Sequence, residues 1–223
     1  MFNTIKPLLG GLLCLAFVSC KKDTVSENTS TPENNVIKNN SAKVADPYYP
    51  YDNGTVYSYA DSTGAGSSTS KSVIAIFGDT TIEGKSFSRT SAESISTYYN
   101  STDGVTTLVS FNGKDKRTTT VLKSNVPVGT TWKDVFSNDG VPTTYEWKIV
   151  ARGINKTVQG VAYSNVIQVH LLGSADVTGQ GKVVFANADY YYAPNVGLIE
   201  NTTYNPSNGK TEFHRELQKT NTP

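Results

Sequence analysis

The chain has few residues that carry reactive chemistry. Of its 223 residues, only two are cysteine and two are histidine. Cys14 and Cys20 both lie in the first 20 residues, so the rest of the chain has no disulfide, no thiol nucleophile and no thiolate metal site. No zinc-type spacing occurs. The sequence therefore predicts no metal site and no cofactor, and a fold held together by its core alone.

Charge of one sign is also lacking. Lysine and arginine number 20 and aspartate and glutamate 19, which gives a formal net charge of +1. A near-neutral chain without a basic stripe has no general attraction for polyanions. The composition therefore argues against a nucleic-acid partner.

A long hydrophobic run is missing as well. The apolar segment from Leu8 to Val18 is shorter than the about 20 residues that a transmembrane helix needs. It follows a basic start at Lys6 and precedes the polar stretch after Cys20, which is the layout of a secretory signal peptide.

The segment Phe17-Val18-Ser19-Cys20 resembles the lipobox of bacterial lipoproteins, with Phe17 in place of the usual leucine. The resemblance implies cleavage before Cys20 and acylation of its thiol. Lys21, rather than aspartate, then favours the outer membrane, and it leaves open whether the protein faces the periplasm or the cell surface.

Three regions follow from composition. Residues 1–19 are the predicted signal peptide. Residues 20–46 comprise the lipidated cysteine and a tether rich in serine, threonine and asparagine, with too little apolar surface to fold alone. Residues 47–220 are predicted to form a single all-β domain.

Apolar and polar residues alternate along several segments of this domain. Tyr145, Trp147 and Ile149 lie on one predicted strand face, and Val105, Thr107, Val109 and Phe111 on another. A period of two indicates strands with one buried face. The best short helix candidate is residues 91–96.

Turn dipeptides separate these strands and favour antiparallel hairpins: Asn53-Gly54, Asp103-Gly104, Asn112-Gly113, Asp139-Gly140 and Asn208-Gly209. We expect an antiparallel meander of about a dozen strands, forming a curved sheet, a half-barrel or a sandwich. Two similar segments about 75 residues apart, Ile82–Ser88 and Val158–Ser164, suggest two duplicated halves, with chance similarity as the equal alternative.

The segments Val126–Trp132 and Tyr191–Ile199 resemble motifs of uncharacterised secreted lipoproteins of Bacteroidota, which are distantly like the lipoprotein-carrier half-barrels. The resemblance implies a β fold and an envelope location. It implies a core role for Trp132 and a turn at Pro194–Gly197, and it supplies no catalytic residue.

Candidate catalytic groups are sparse. His214 alternates with Glu212 and Glu216, but one strand rarely supplies three metal ligands. His170 is expected to be solvated. No nucleophile-elbow motif occurs, and paired carboxylates of a hydrolase stay open as an alternative. We predict no catalytic residues and no enzyme activity.

Tyrosine is abundant, with 13 residues. Exposed tyrosines stack on sugar rings, so a glycan-binding role is assigned to a candidate set: Tyr98, Tyr99, Tyr190, Tyr191 and Tyr192. Three Asp-Ser/Thr segments resemble Bacteroidota O-glycosylation sequons and give acceptor candidates at Thr24, Ser62 and Thr80.

The sequence as a whole predicts a lipid-anchored envelope protein with a non-catalytic binding or structural role. Its ligand is a glycan or a hydrophobic molecule. A carrier of lipid or lipoprotein, which would have a hollow lined by valine, isoleucine and phenylalanine, is one alternative. An envelope hydrolase is the other. The oligomeric state is left open.

Overall fold

The structure, a computed structural model, describes residues 46–64, 68–92, 95–112, 115–138 and 140–221. All regular structure in these ranges is β. The strands are β1 (Val56–Thr63), β2 (Ser68–Ile82), β3 (Lys85–Ala92), β4 (Ile95–Thr102), β5 (Val105–Asn112), β6 (Asp115–Lys123), β7 (Thr131–Asn138), β8 (Val141–Val158), β9 (Val161–Val177), β10 (Gly181–Ala193), β11 (Gly197–Tyr204) and β12 (Thr211–Asn221). No helix in the described part of the chain is long and apolar enough to cross a membrane.

The twelve strands form one antiparallel sheet in the order β6-β5-β4-β3-β2-β1-β12-β11-β10-β9-β8-β7. Pairing of β1 with β12 joins the two ends of the domain. The sheet curves until β6 and β7 come side by side, so it is nearly closed into a barrel. The predicted all-β meander is confirmed, and the sandwich alternative is wrong because all strands belong to one sheet. The helix candidate at residues 91–96 is also wrong, since Ser91 lies in β3 and pairs with Ser96 in β4.

The inner face of the curved sheet carries the core. Tyr57 and Tyr59 of β1 point inward, and so do Trp147 and Ile149 of β8, each 2% exposed or less. Trp132 of β7 stacks on Trp147 with ring centroids 6.3 Å apart, which confirms its predicted core role. Alternation therefore identified the buried face of β8 correctly.

The segment before β1, residues 46–55, closes one end of the sheet. Tyr49 and Tyr51 are 6% and 7% exposed and pack into the core on the inner face of the sheet. Asp46 is buried and accepts a hydrogen bond of 2.6 Å from Ser124 Oγ. Pro47 O accepts a hydrogen bond from the backbone N–H of Asn195 in the β10–β11 turn. We call residues 46–55 the plug.

Side chains link β6 to β7, where the main-chain hydrogen-bond ladder of the sheet is interrupted. Trp132 Nε1 donates to Thr120 O at 2.7 Å, and Thr120 N donates to Asp134 Oδ2 at 3.0 Å. Two side chains of β7 thus satisfy both backbone groups of one β6 residue. Asp134 also accepts from Trp147 Nε1 at 3.1 Å. Burial raises the pKa of Asp134. The hydrogen bonds from Thr120 N and Trp147 Nε1 and the charge of Lys123 oppose this shift without cancelling it.

Internal repetition is visible in the backbone contacts. Gly54 N bonds Ile76 O, and Ile76 N bonds Thr55 O; at the matching positions, Gly129 N bonds Ile149 O and Ile149 N bonds Thr130 O. The β2–β3 turn at Glu83-Gly84 has φ angles of 51° and 77°, and the β8–β9 turn at Gln159-Gly160 has 48° and 79°. The duplicated segments therefore occupy equivalent places in two six-stranded halves, β1–β6 and β7–β12.

Candidate functional site

The outer face of β2–β5 carries a continuous group of aromatic side chains around one arginine. Phe77 of β2 lies at a bulge opposite Arg89 of β3. Arg89 pairs directly with Tyr98 of β4, and Phe111 lies on the neighbouring strand β5. These four residues, which we call the aromatic row, cross four adjacent strands.

Strand parity explains why these side chains face outward. Ser88 and Thr90 flank Arg89, and both are 1% exposed on the inner face, so Arg89 between them must point to the other side. The same reasoning places Tyr98 outside, because Tyr99 packs inside against Tyr49 and Tyr51 of the plug.

The contacts within the aromatic row are close. The Arg89 guanidinium carbon lies 4.6 Å from the Phe77 ring centroid. The rings of Tyr98 and Phe111 are 5.7 Å apart and meet edge to face at 84°. Phe77 is 38% and Phe111 48% exposed. At about 4.8 Å per strand, three strand spacings give a surface about 14 Å across, which is long enough for more than one sugar ring.

The predicted tyrosine set does not form one surface. Tyr98 is half-buried in the aromatic row. Tyr99 and Tyr192 lie in the core on either side of Tyr49, each 5.5 Å from it. Tyr190 faces inward against Trp147 at 5.7 Å, whereas Tyr191 faces outward beneath Lys156. Only Tyr98 and Tyr191 of this set are therefore placed toward the outside, and several strands separate them.

A second cluster lies on the outer face of the other half, beneath the end of the β8–β9 hairpin. Glu200, His214 and Glu216 each offer a ligand atom, and these atoms all lie within 4.8 Å of one another. The hairpin covers them: Lys156 Nζ lies 3.0 Å from Glu200 Oε1, and Gln159 Nε2 donates to Glu216 Oε2. Glu212 does not take part in this cluster.

The partners of this cluster limit its chemistry. An imidazole and two carboxylates suit a transition metal, but the Lys156 ammonium already neutralises Glu200, which is 8% exposed. Lys156 also lies 3.8 Å from the Tyr191 ring centroid. Burial, with the nearby charge of Asp189, raises the pKa of Tyr191 to about 12. The arrangement is that of a closed polar contact between the hairpin and the sheet.

A cleft of about 450 Å³ lies on the same hairpin. It is lined by Asn155, Lys156, Thr157, Ala162, Tyr163 and Ser164.

His170 is half-buried and bonded rather than freely solvated. Its Nδ1 lies 2.9 Å from Asp189 Oδ1, and Tyr204 Oη donates to Asp189 Oδ2 at 3.1 Å. Burial raises the pKa of Asp189, but the hydrogen bond and charge of His170, with hydrogen bonds from Tyr204 and Gln168, lower it overall. Because His170 bonds the Asp189 carboxylate, which also accepts a hydrogen bond from Tyr204, the geometry indicates that His170 stabilises the fold.

The predicted modification sites are placed as follows. Cys20 and Thr24 lie outside the described residues. Ser62 is half-buried in β1, and its Oγ lies 3.5 Å from His214 O. Thr80 is half-buried in β2, where it pairs with Phe87 of β3. All three glycosylation candidates stay predictions.

Phe77, Arg89 and Phe111 were not identified as site residues from the sequence. The signal was present for Phe111, because it lies two residues from Val109 on one strand face. That face was expected to be buried. The bulge that turns Phe77 toward Arg89 carries Gly78 with φ of 73°, and a lone glycine within a strand is the available sign of such a bulge.

Comparisons with known proteins give likenesses of fold. No protein-family model and no curated protein matches the chain. A solved structure from Bacteroides fragilis, described as a candidate exported protein with a YmcC-like fold, is 10% identical with a TM-score of 0.47 over 77% of this chain and 97% of that chain. A candidate lipoprotein from Parabacteroides distasonis is also 10% identical, with a TM-score of 0.47 over 78% of this chain and 98% of that chain. One is described as exported and the other as a lipoprotein, in line with the resemblance seen in the sequence, and at this identity neither likeness bears on function.

Proposed function

We propose that the protein is a lipid-anchored, non-catalytic component of the bacterial outer membrane that binds glycan through the aromatic row. The observation that carries this proposal is the exposure of Phe77 and Phe111, at 38% and 48%, on one side of a sheet whose other aromatic residues are largely buried. Aromatic faces of this kind stack on the apolar faces of sugar rings. Anchoring rests on the lipobox at Cys20.

The inner face favours glycan binding over lipid carriage. A carrier would need a hollow lined by aliphatic residues and phenylalanine. Here the plug brings Tyr49 and Tyr51 into the end of the sheet, where they contact Tyr99 at 5.5 and 5.0 Å. Tyr57 and Tyr59 continue the same packing at 1% exposure. Rings in mutual contact fill the space that an acyl chain would take.

The carboxylates of the second half support a non-catalytic role. A hydrolase needs one carboxyl free to donate a proton and another free to act as base or nucleophile. Glu200 is paired with Lys156, and Glu216 accepts a hydrogen bond from Gln159. Both groups are thus engaged by the hairpin that covers them.

Binding to immobilised polysaccharides tests the glycan proposal. Phe111→Ala and Phe77→Ala should each weaken binding about tenfold, because each removes an exposed stacking surface worth about 1.4 kcal/mol. Val135→Ala is the matched control, since Val135 is an apolar outer residue of β7 that is 71% exposed. Equal binding by all four proteins, or no binding by the wild type, would refute the proposal.

Metabolic labelling with a fatty-acid probe tests the anchor. Cys20→Ser should abolish labelling and release the protein from the membrane fraction, since its thiol is the proposed acyl acceptor. Cys14→Ser is the control, because Cys14 lies in the segment that cleavage removes and should leave labelling unchanged. Labelling that persists in Cys20→Ser would place the acyl chain elsewhere and contradict the assignment.

A further inference from the structure

The aromatic row contains a positive charge that no acidic side chain among the described residues neutralises. Arg89 is exposed, and it forms no ion pair with a carboxylate in this part of the chain. Two other arginines differ from it in that protein oxygens accept hydrogen bonds from their guanidinium groups. Arg215 is bound by Asp61 through two contacts of 2.8 Å, and Arg152 donates to the carbonyl of Val126.

Among the described residues, the acidic side chains nearest to Arg89 along the chain are already engaged. Asp79 lies in β2 close to the bulge, and its Oδ1 accepts a hydrogen bond of 3.3 Å from Ser88 Oγ. Glu83, at the β2–β3 turn, pairs with Lys116 of β6. Within the described part of the chain, the positive charge of Arg89 is therefore available to a ligand that lies on the aromatic row.

The position of Arg89 defines where a ligand's charge would lie. Its guanidinium is held against the Phe77 ring at 4.6 Å, a cation–π contact that limits its freedom. Tyr98 is its direct partner on the next strand. A sugar stacked on Tyr98 and Phe111 would place its substituents about one strand spacing, roughly 4.8 Å, from Arg89.

We propose that the glycan is acidic, and that Arg89 binds its carboxylate or sulfate group. A guanidinium offers two parallel N–H donors that match the two oxygens of such a group. Its weak hydration makes it suited to a partly apolar surface. This inference rests on the proposed glycan-binding function and adds the chemical class of the ligand.

The test uses the full mature protein and pairs of polysaccharides that differ only in charge: polygalacturonate with its methyl ester, and a sulfated galactan with its desulfated form. The wild type should bind at least one charged form about tenfold more tightly than its neutral partner. Arg89→Gln should remove that preference. Arg89→Lys should recover only part of it, because a lysine cannot make the paired contact. Lys182→Gln, which removes one exposed positive charge from β10, is the matched control.

The outcomes separate this inference from the proposed function. If Phe111→Ala weakens binding while Arg89→Gln binds charged and neutral forms as the wild type does, glycan binding stands and the acidic ligand is refuted. If Lys182→Gln reduces the preference as much as Arg89→Gln, the effect is general charge attraction and the role of Arg89 is refuted. If no polysaccharide binds, both proposals fail.

Discussion

Arg215→Met should strongly destabilise the protein by leaving Asp61 as an unpaired charge inside the sheet. The Asp61 side chain is 8% exposed and that of Arg215 14%. Their two contacts are 2.8 Å long, and the guanidinium also lies 5.3 Å from the rings of Tyr59 and Phe213. Breaking a buried pair by removing one partner costs about 3 to 5 kcal/mol. For a domain of this size, that corresponds to a Tm lower by about 6 to 20 °C.

The double variant decides whether the cost comes from the unpaired charge. Asp61→Asn alone should be destabilising for the same reason, whereas Asp61→Asn with Arg215→Met removes both charges and should cost less than either single change. Urea unfolding followed by tryptophan fluorescence measures all four free energies of unfolding, since Trp132 and Trp147 both lie in the core.

An exposed pair supplies the control for this cycle. Lys133 and Glu146 are 3.0 Å apart on the outer face, with side chains 57% and 37% exposed. Lys133→Met and Glu146→Gln should show a coupling energy of only about 0 to 1 kcal/mol. Additive costs for Asp61 and Arg215, or a coupling energy no larger than that of the exposed pair, would refute the reasoning.

Two further predictions concern packing and pH. Gly173→Ala should lower the free energy of unfolding by about 1 to 3 kcal/mol, because a Cβ there would lie 2.8 Å from Ala186 Cβ and 3.1 Å from the Phe185 ring; an unchanged urea midpoint would contradict this packing. The raised pKa of Asp134 means that the folded state holds this proton more tightly than the unfolded state. Stability from this group should therefore fall as pH rises from the ordinary value of 3.8 through the raised pKa. In Asp134→Asn that part of the pH dependence should vanish, and an identical urea-midpoint profile against pH in the two proteins would exclude Asp134 as its source.

Local structure was largely predictable from the sequence because its causes are local. At Asp103-Gly104, φ angles of 52° and 75° form the expected tight turn between β4 and β5. Asn53-Gly54, which the sequence places between two strands, lies instead before β1, where Gly54 N bonds Ile76 O. The two turns at Glu83-Gly84 and Gln159-Gly160 were recognised only as repeated segments, since glutamate and glutamine are not typical first residues of such turns.

Long-range features could not be predicted in the same way. Pairing of Val56 with Asn221 joins the two ends of the domain, and no local pattern specifies that the first and last strands pair. The exposure of the aromatic row also depends on contacts between residues that are far apart in the sequence. Parity requires Tyr98 and Tyr99 to point to opposite faces, but which of them lies inside is decided by the plug, through the contacts of Tyr49 and Tyr51 with Tyr99.

Comparison of the two repeated halves shows that this fold can cover part of its outer face with one of its own hairpins. In the second half, the hairpin end reaches the outer face, where Lys156 covers Tyr191 at 3.8 Å and leaves Glu200 8% exposed. In the first half the equivalent turn reaches Lys116 through Glu83, yet Phe111 stays 48% exposed. Covering a phenylalanine fully would stabilise the fold by up to about 1.5 to 3 kcal/mol. The same architecture thus covers Tyr191 and Glu200 in one half and leaves Phe111 open in the other, and in our proposal it is a glycan that covers Phe111.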